Sequence, residues 1–176
     1  MSYSISRQDQ FVLHMMGGKV GQYLEIGAHH PTLINNTYLL EQQGWWGTSI
    51  EIDPQWETMW KATRKNPLMI TDALKLNYID AERIDYLQLD IEPPEQTMQC
   101  LLNMLSTGCR FSIITFEHDA YSGGNVRELS RQVLQAEGYL LAVQDVMSQF
   151  GPYEDWWLDP TSDINLELLK TWALIS

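Results

Sequence analysis

Short apolar, strand-like runs alternate with amphipathic, helix-like runs along the whole chain, a pattern that points to βαβ units on a largely parallel sheet. Tyr23-Leu24-Glu25-Ile26 reads as the first strand, and Thr37 to Gln43 as a helix stopped by Gly44. Thr48 to Ile52 is the second strand. Asp53 then caps a helix with Pro54 at its first position and a buried face marked by Trp56, Met59, Trp60 and Thr63. Leu68 to Ile70 and Ile84 to Asp90 are the third and fourth strands, and Pro93-Pro94 prevents extension of the fourth. Met98, Leu101, Leu102 and Leu105 recur at helical spacing before Gly108, and Phe111 to Phe116 is the fifth strand. Val126, Leu129, Val133 and Leu134 define another helix, ended by Gly138. Tyr139 to Val146 and Tyr153 to Leu158 complete six to seven strands with helices on both faces. Residues 1 to 16 read as a leading helix, while Ile164 to Leu174 fits neither period cleanly.

A chain of 176 residues, 44% of them hydrophobic, buries one sizeable core, so one domain over residues 1 to 176 is expected. It contains no run of about eighteen apolar residues, and Met1 to Gln10 is polar where a signal peptide needs an apolar stretch. A soluble, cytoplasmic protein is expected. The net charge of −12 opposes the counterion release that drives binding to nucleic acid, and disfavours anionic membranes equally. Lys61, Arg64 and Lys65 form a local basic patch that reads as the solvated face of a helix. Cys100 and Cys109 are too few for a four-ligand zinc site and read as reduced and buried.

In open parallel sheets a ligand sits outside the carboxyl ends of the strands. Those ends are Glu25-Ile26-Gly27-Ala28, Glu51-Ile52-Asp53, Thr71-Asp72-Ala73, Asp90-Ile91-Glu92 and Glu117-His118-Asp119, almost all acidic. A dinucleotide pyrophosphate would demand several glycines in the first turn, and only Gly27 is there. S-adenosylmethionine has no phosphate, carries cationic amino and sulfonium groups, and offers two ribose hydroxyls to a carboxylate. On that reading Gly27 lets the backbone pass close to the ligand, Glu25 faces its methionine end, Glu51 accepts from the ribose and Asp72 meets the adenine amino group. Each residue also has a local role open to it, as turn glycine or helix cap. Their occurrence together at successive strand ends favours the ligand.

Residues 23 to 28, Asn36-Thr37-Tyr38-Leu39-Leu40-Glu41, Gly44-Trp45-Trp46-Gly47 and Ile50-Glu51-Ile52-Asp53-Pro54 together resemble the opening of FkbM-type methyltransferases. Asp85 to Glu92 resembles a later strand of that family. The resemblance covers roughly residues 20 to 160 and implies a Rossmann-like methyltransferase fold, S-adenosylmethionine as cofactor, and O-methylation of a small molecule or sugar. Gly27, Ala28, Glu51, Ile52, Asp72, Ala73, Asp90 and Glu25 are then the expected cofactor contacts. His29, where the family usually has asparagine, and Pro93-Pro94, where glycine is usual, depart from the pattern.

A hydroxyl acceptor must lose a proton, and His118, Asp119 and Asp90 are the candidate catalytic groups. His118 and Asp119 also have structural roles open to them. Asp90, Glu92, Glu117, His118 and Asp119 are a candidate ligand set for Mg²⁺, Mn²⁺ or Ca²⁺, the rival being a metal-free site with His118 as base. Side chains alternate across a strand, so Glu117 and Asp119 share a side with His118 only if the strand has already ended. His29 and His30 touch the ligand or pack in the first loop, and His14 reads as structural. The adjacent Trp156 and Trp157 point to opposite faces, one into the core and the other into core, a pocket wall or a homo-oligomer contact. A binding or assembly module that keeps the fold without the chemistry is the competing expectation.

Overall fold

A computed structural model describes residues 1–78, 83–172 and 174. Its centre is a 7-stranded sheet of order β3-β2-β1-β4-β5-β7-β6. The strands are β1 (Gln22–Ile26), β2 (Trp46–Glu51), β3 (Leu68–Ile70), β4 (Ile84–Leu89), β5 (Phe111–Glu117), β6 (Leu140–Ser148) and β7 (Gly151–Leu158). The first five run parallel, and β7 inserts antiparallel between β5 and β6. The helices are α1 (Gln8–Met15), α2 (Tyr38–Gln42), α3 (Glu57–Thr63), α4 (Pro94–Ser106), α5 (Val126–Ala136) and α6 (Glu167–Trp172).

Alternation along each strand sends residues to two separate cores. Leu24 and Ile26 of β1, Leu87 and Leu89 of β4, and Ile114 and Phe116 of β5 pack against Met98, Leu101 and Met104 of α4 and Leu134 of α5. On the other face Tyr23, Tyr86 and Ile113 pack with Phe11, Val12 and Met15 of α1, Leu40 of α2 and Trp172 of α6. Trp157 belongs to the first core and Trp156 to the second, where its ring lies 4.7 Å from Phe11. Both are buried. Cys100 and Cys109 are free and buried, as the sequence leads one to expect.

The structure departs from the sequence reading at three places. The leading helix starts at Gln8 because the Asp9 carboxylate accepts from the Ser2 hydroxyl (2.6 Å) and the Tyr3 amide (2.8 Å), holding the preceding chain in a non-helical turn. Of the four residues assigned to the buried face after Pro54, Trp60 is buried and Trp56 partly so, while Met59 and Thr63 are exposed. That stretch is a 3-10 turn (Pro54–Trp56) running into the seven-residue α3 beside the edge strand β3, so little of its surface is covered. Lys61 and Lys65 are exposed, but Arg64 is buried, with an ion pair to Glu41 at 2.9 Å. Among the described residues no helix is long and apolar enough to cross a membrane.

Candidate functional site

The carboxyl ends of β1, β2 and β4 are pinned together by backbone hydrogen bonds. Gly27 and Ala28 amides donate to the Ile50 carbonyl (3.0 and 3.1 Å), and the Asp90 amide donates to the Ile26 carbonyl (3.1 Å). Gly27 has φ 80°, and a Cβ added there would lie 1.6 Å from the Asp90 carbonyl oxygen. Glycine is demanded here by the approach of two strand ends as well as by the turn.

Three cavities open along these ends. The first, about 100 Å³, is lined by Gly27, Glu51, Ile52, Asp72, Ala73 and Glu92 among others. A second of about 350 Å³ is walled by Glu25, Gly27, Ala28, His29, His30, Asn36, Gln88 and Asp90. The third, about 250 Å³, has Ile34, Asn36, Asp90, Glu117, Asp119, Tyr121, Phe150 and Tyr153 in its wall. Gly27 is common to the first pair and Asp90 to the second, so the three form one crevice. A larger cavity of about 530 Å³, lined by Arg7, Val143, Trp156 and Trp172, lies beside β6 and contains none of the strand-end acids.

All eight residues assigned to a cofactor from the sequence line this crevice. Their carboxylates are not equally free. Glu51 accepts from the amides of His29 (2.8 Å), Ile52 (2.7 Å) and Asp53 (2.8 Å), which orients it at the end of β2. Asp72 accepts from the Leu74 amide at 3.0 Å and pairs with Lys75, whose hydrogen bond, the larger effect, holds its carboxyl below the usual range. Glu25 accepts from the hydroxyls of Ser49 (2.5 Å) and Thr37 (2.9 Å) beneath Arg64, so its carboxylate is held by the protein itself. Burial raises its pKa, with Arg64 opposing.

The third cavity gathers acids with no basic partner. Burial pushes the carboxyls of Asp90 and Glu117 upward; repulsion from Asp90 adds to it at Glu117, while at Asp90 a hydrogen bond with Glu117 opposes it and Asp119 and Glu92 repel, so the pair retains a proton near neutrality. Glu154, which β7 places opposite Glu117, is pushed up to about 8, chiefly by burial, although Gln8 and the Trp156 indole both donate to it. Asp119 sits at φ 44° just after β5, is 4% exposed, and its Oδ1 has no hydrogen-bond partner. Among the described residues none of these four carboxyls is ion-paired to Lys or Arg. Glu154 figures in the sequence only as a neighbour of the tryptophans. The signal available was an acid inside an otherwise buried strand, a placement that costs free energy unless it serves something.

His118 is not part of this cluster. It lies across the strand, with Nδ1 accepting from the Ala120 amide (3.2 Å) and Nε2 directed at Asp155 Oδ1 (3.6 Å). Its own position is buried, and it lines none of the three cavities. The expected ion ligands Asp90, Glu92 and Glu117 therefore stand apart from His118, whose neighbours are Asp145 and Asp155. Those two are already paired with Arg131, at 2.9 Å and 2.7 Å, and Asp145 also with Arg127 at 3.1 Å, so the group is an internal ion-pair network. His29 and His30 wall the second cavity and pack on Trp56 at 4.5 and 5.3 Å. His14 is structural, its Nε2 2.8 Å from the Leu168 carbonyl.

Acids with raised pKa values bind protons more tightly in the folded chain than in the unfolded one, so they favour folding at low pH and lose that contribution as pH rises through the folded values. With Glu154 near 8 and Asp90 and Glu117 also raised, the unliganded protein is expected to melt at a lower temperature at pH 8 than at pH 5.5. Glu154→Gln should flatten the difference. Melting temperatures that increase over that interval would contradict the assignment.

No protein-family model matches the chain, and no curated protein matches it. Solved structures do match. The N-methyltransferase NodS of Bradyrhizobium japonicum WM9 superposes with a TM-score of 0.59 at 18% identity, over 88% of this chain and 94% of that one. The 1,6-didemethyltoxoflavin-N1-methyltransferase of Burkholderia thailandensis, solved with its substrate and S-adenosylhomocysteine, gives 0.55 at 16% identity, over 89% and 77%. An rRNA methylase of Streptococcus thermophilus gives 0.55 at 12%, over 90% and 98%. The chain thus has the Rossmann-like methyltransferase fold, and the acceptors named among these neighbours include 1,6-didemethyltoxoflavin and rRNA.

Proposed function

We propose that the protein is an S-adenosylmethionine-dependent methyltransferase acting on a small polar acceptor. The observation that carries this reading is the continuous crevice at the carboxyl ends of β1, β2 and β4, pinched at Gly27 and Asp90 on a methyltransferase fold. Glu51, held by three amides, faces the first cavity and suits the ribose hydroxyls, with Ile52, Asp72 and Ala73 around the adenine. Ala28, Gln88 and Asp90 wall the second cavity, where the methionine portion fits. Bound there, S-adenosylmethionine supplies an electrophilic methyl group on a sulfonium. Asp90, common to the second and third cavities, marks the passage from donor to acceptor. Transfer from a sulfonium is an in-line displacement, so the chain's task is to orient two reactants and exclude water.

A hydroxyl acceptor of the kind implied by the family resemblance would need a base beside it. His118 is turned away, and Asp119 with the Asp90–Glu117 pair are the groups in reach. No divalent ion is part of this reading.

A ligand that binds only the folded state raises its melting temperature. S-adenosylmethionine and S-adenosylhomocysteine are each expected to do so, with saturable heat in calorimetry. No shift and no heat with either would end the reading. Glu51→Ala is expected to weaken S-adenosylhomocysteine by more than about tenfold through the lost ribose contacts. An unchanged affinity would place the ribose elsewhere.

A further inference from the structure

We infer that the methyl acceptor is an amine with an apolar body, bound as its ammonium ion by Asp119 and the Asp90–Glu117 pair. The inference rests on the methyltransferase reading and names the substrate class of its third cavity.

Two independent observations support it. Asp119 is buried on the wall of that cavity and its Oδ1 has no hydrogen-bond partner among the described residues, although a buried oxygen left unpaired costs free energy. Around it stand more carboxyls and, among the described residues, no cation, which is the electrostatic complement of a bound positive charge. The rest of the wall sets aromatic and aliphatic side chains beside the polar Gln8, Asn36 and Ser148. Tyr121 and Phe150 lie ring to ring at 5.7 Å, Tyr153 lines the same space, and Ile34 is exposed at its mouth. Such faces attract an ammonium through their π systems and cover an apolar body. A neutral hydroxyl would leave this negative charge uncompensated.

The cluster also handles the proton. The ammonium cedes one to the carboxylate of the Asp90–Glu117 pair that is still ionised, taking the pair from one proton to two; burial makes that carboxylate a stronger base than an ordinary one. The freed nitrogen lone pair attacks the sulfonium methyl as the carbon–sulfur bond breaks with its electrons on sulfur. The products are the N-methylammonium and neutral S-adenosylhomocysteine, and the proton leaves the carboxyl pair for solvent.

The test titrates 2-phenylethylamine and its neutral isostere 2-phenylethanol into the full chain by calorimetry, with and without saturating S-adenosylhomocysteine. The amine is expected to bind at least about tenfold more tightly than the alcohol. Asp119→Asn, a residue type that tolerates positive φ, and Glu117→Gln should each remove most of that preference while leaving S-adenosylhomocysteine affinity and the melting temperature close to the wild type. S-adenosylhomocysteine binding without amine preference, or a preference that survives both substitutions, overturns the amine site and leaves the methyltransferase reading standing. Amine preference without S-adenosylhomocysteine binding overturns the methyltransferase reading and leaves the amine site. Failure of both refutes both. Saturable Mg²⁺ binding that Asp119→Asn abolishes would assign the carboxylates to a metal ion and also overturn the proposal.

Discussion

Gly27→Ala is expected to lower the melting temperature by about 10 °C or more, corresponding to roughly 3–5 kcal/mol in a domain of this size. Two costs combine. The added Cβ would meet the Asp90 carbonyl oxygen at 1.6 Å, and the residue has φ 80°. Backbone stands on the other side of the clash, so β1 and β4 must separate at the point where both donor cavities meet. Gly108 isolates the second cost, because its φ is 84° with nothing within 4 Å of an added Cβ. Gly108→Ala should lose only about 1 kcal/mol, the ordinary penalty of left-handed backbone. Chemical denaturation of both variants checks the pair. Equal losses would show that strand separation at Gly27 is not costly. The same variant should lose S-adenosylhomocysteine binding at a temperature where it remains folded.

Arg64→Met is expected to cost roughly 3–5 kcal/mol, the usual penalty for stranding a buried charge's partners. Its guanidinium donates to Glu41 Oε2 (2.9 Å), the Pro31 carbonyl (2.9 Å), Asn35 Oδ1 (3.0 Å), the Tyr23 hydroxyl (3.0 Å) and Thr37 Oγ1 (2.9 Å). It also lies over the Trp60 ring at 4.4 Å. These contacts tie α2, the first loop and the start of β1 to the residue after α3. Lysine keeps the charge but has neither the planar fork nor enough donors, so Arg64→Lys should fall between wild type and Arg64→Met. The pH dependence has a definite sign. Without Arg64, buried Glu25 loses the positive charge that opposes its raised pKa, and its proton affinity rises further. The folded variant then holds a proton that the unfolded chain releases above about pH 4.3, so its deficit grows between pH 5 and pH 7.5. A deficit independent of pH would mean that Glu25 remains compensated.

Arg64 also shows where sequence reading stops. Between Lys61 and Lys65 on a short amphipathic stretch, it looks like one more solvated cation, and both lysines are indeed exposed. Its burial depends on Glu41, 23 residues earlier, and on Tyr23 and Thr37, partners that periodicity cannot register. His118 is a similar case. The triplet Glu117-His118-Asp119 looks like one reactive group, but β5 ends at Glu117 and the chain turns through left-handed Asp119, so the imidazole faces Asp155 while the two acids line the crevice.

The sequence by itself determined where the strands lie, because most are short apolar-rich runs near Gly, Pro or a capping acid and those signals are local, although β4, β6 and β7 also carry polar residues and β6 and β7 have other ends than the pattern marks. It also determined that acids stand at the carboxyl ends of β1, β2 and β4, since once the strands are located the next residue is simply read off. Only the tertiary structure decided which acids meet. Glu154 reaches Glu117 because β7 returns antiparallel against β5, a pairing across 37 positions that no local pattern encodes. Asp119 Oδ1 is left without a hydrogen-bond partner because the surrounding elements bring it carboxyls and aromatic rings but, among the described residues, no cation. Burial and pairing are properties of what packs around a side chain, and in a parallel sheet those neighbours come from distant parts of the chain.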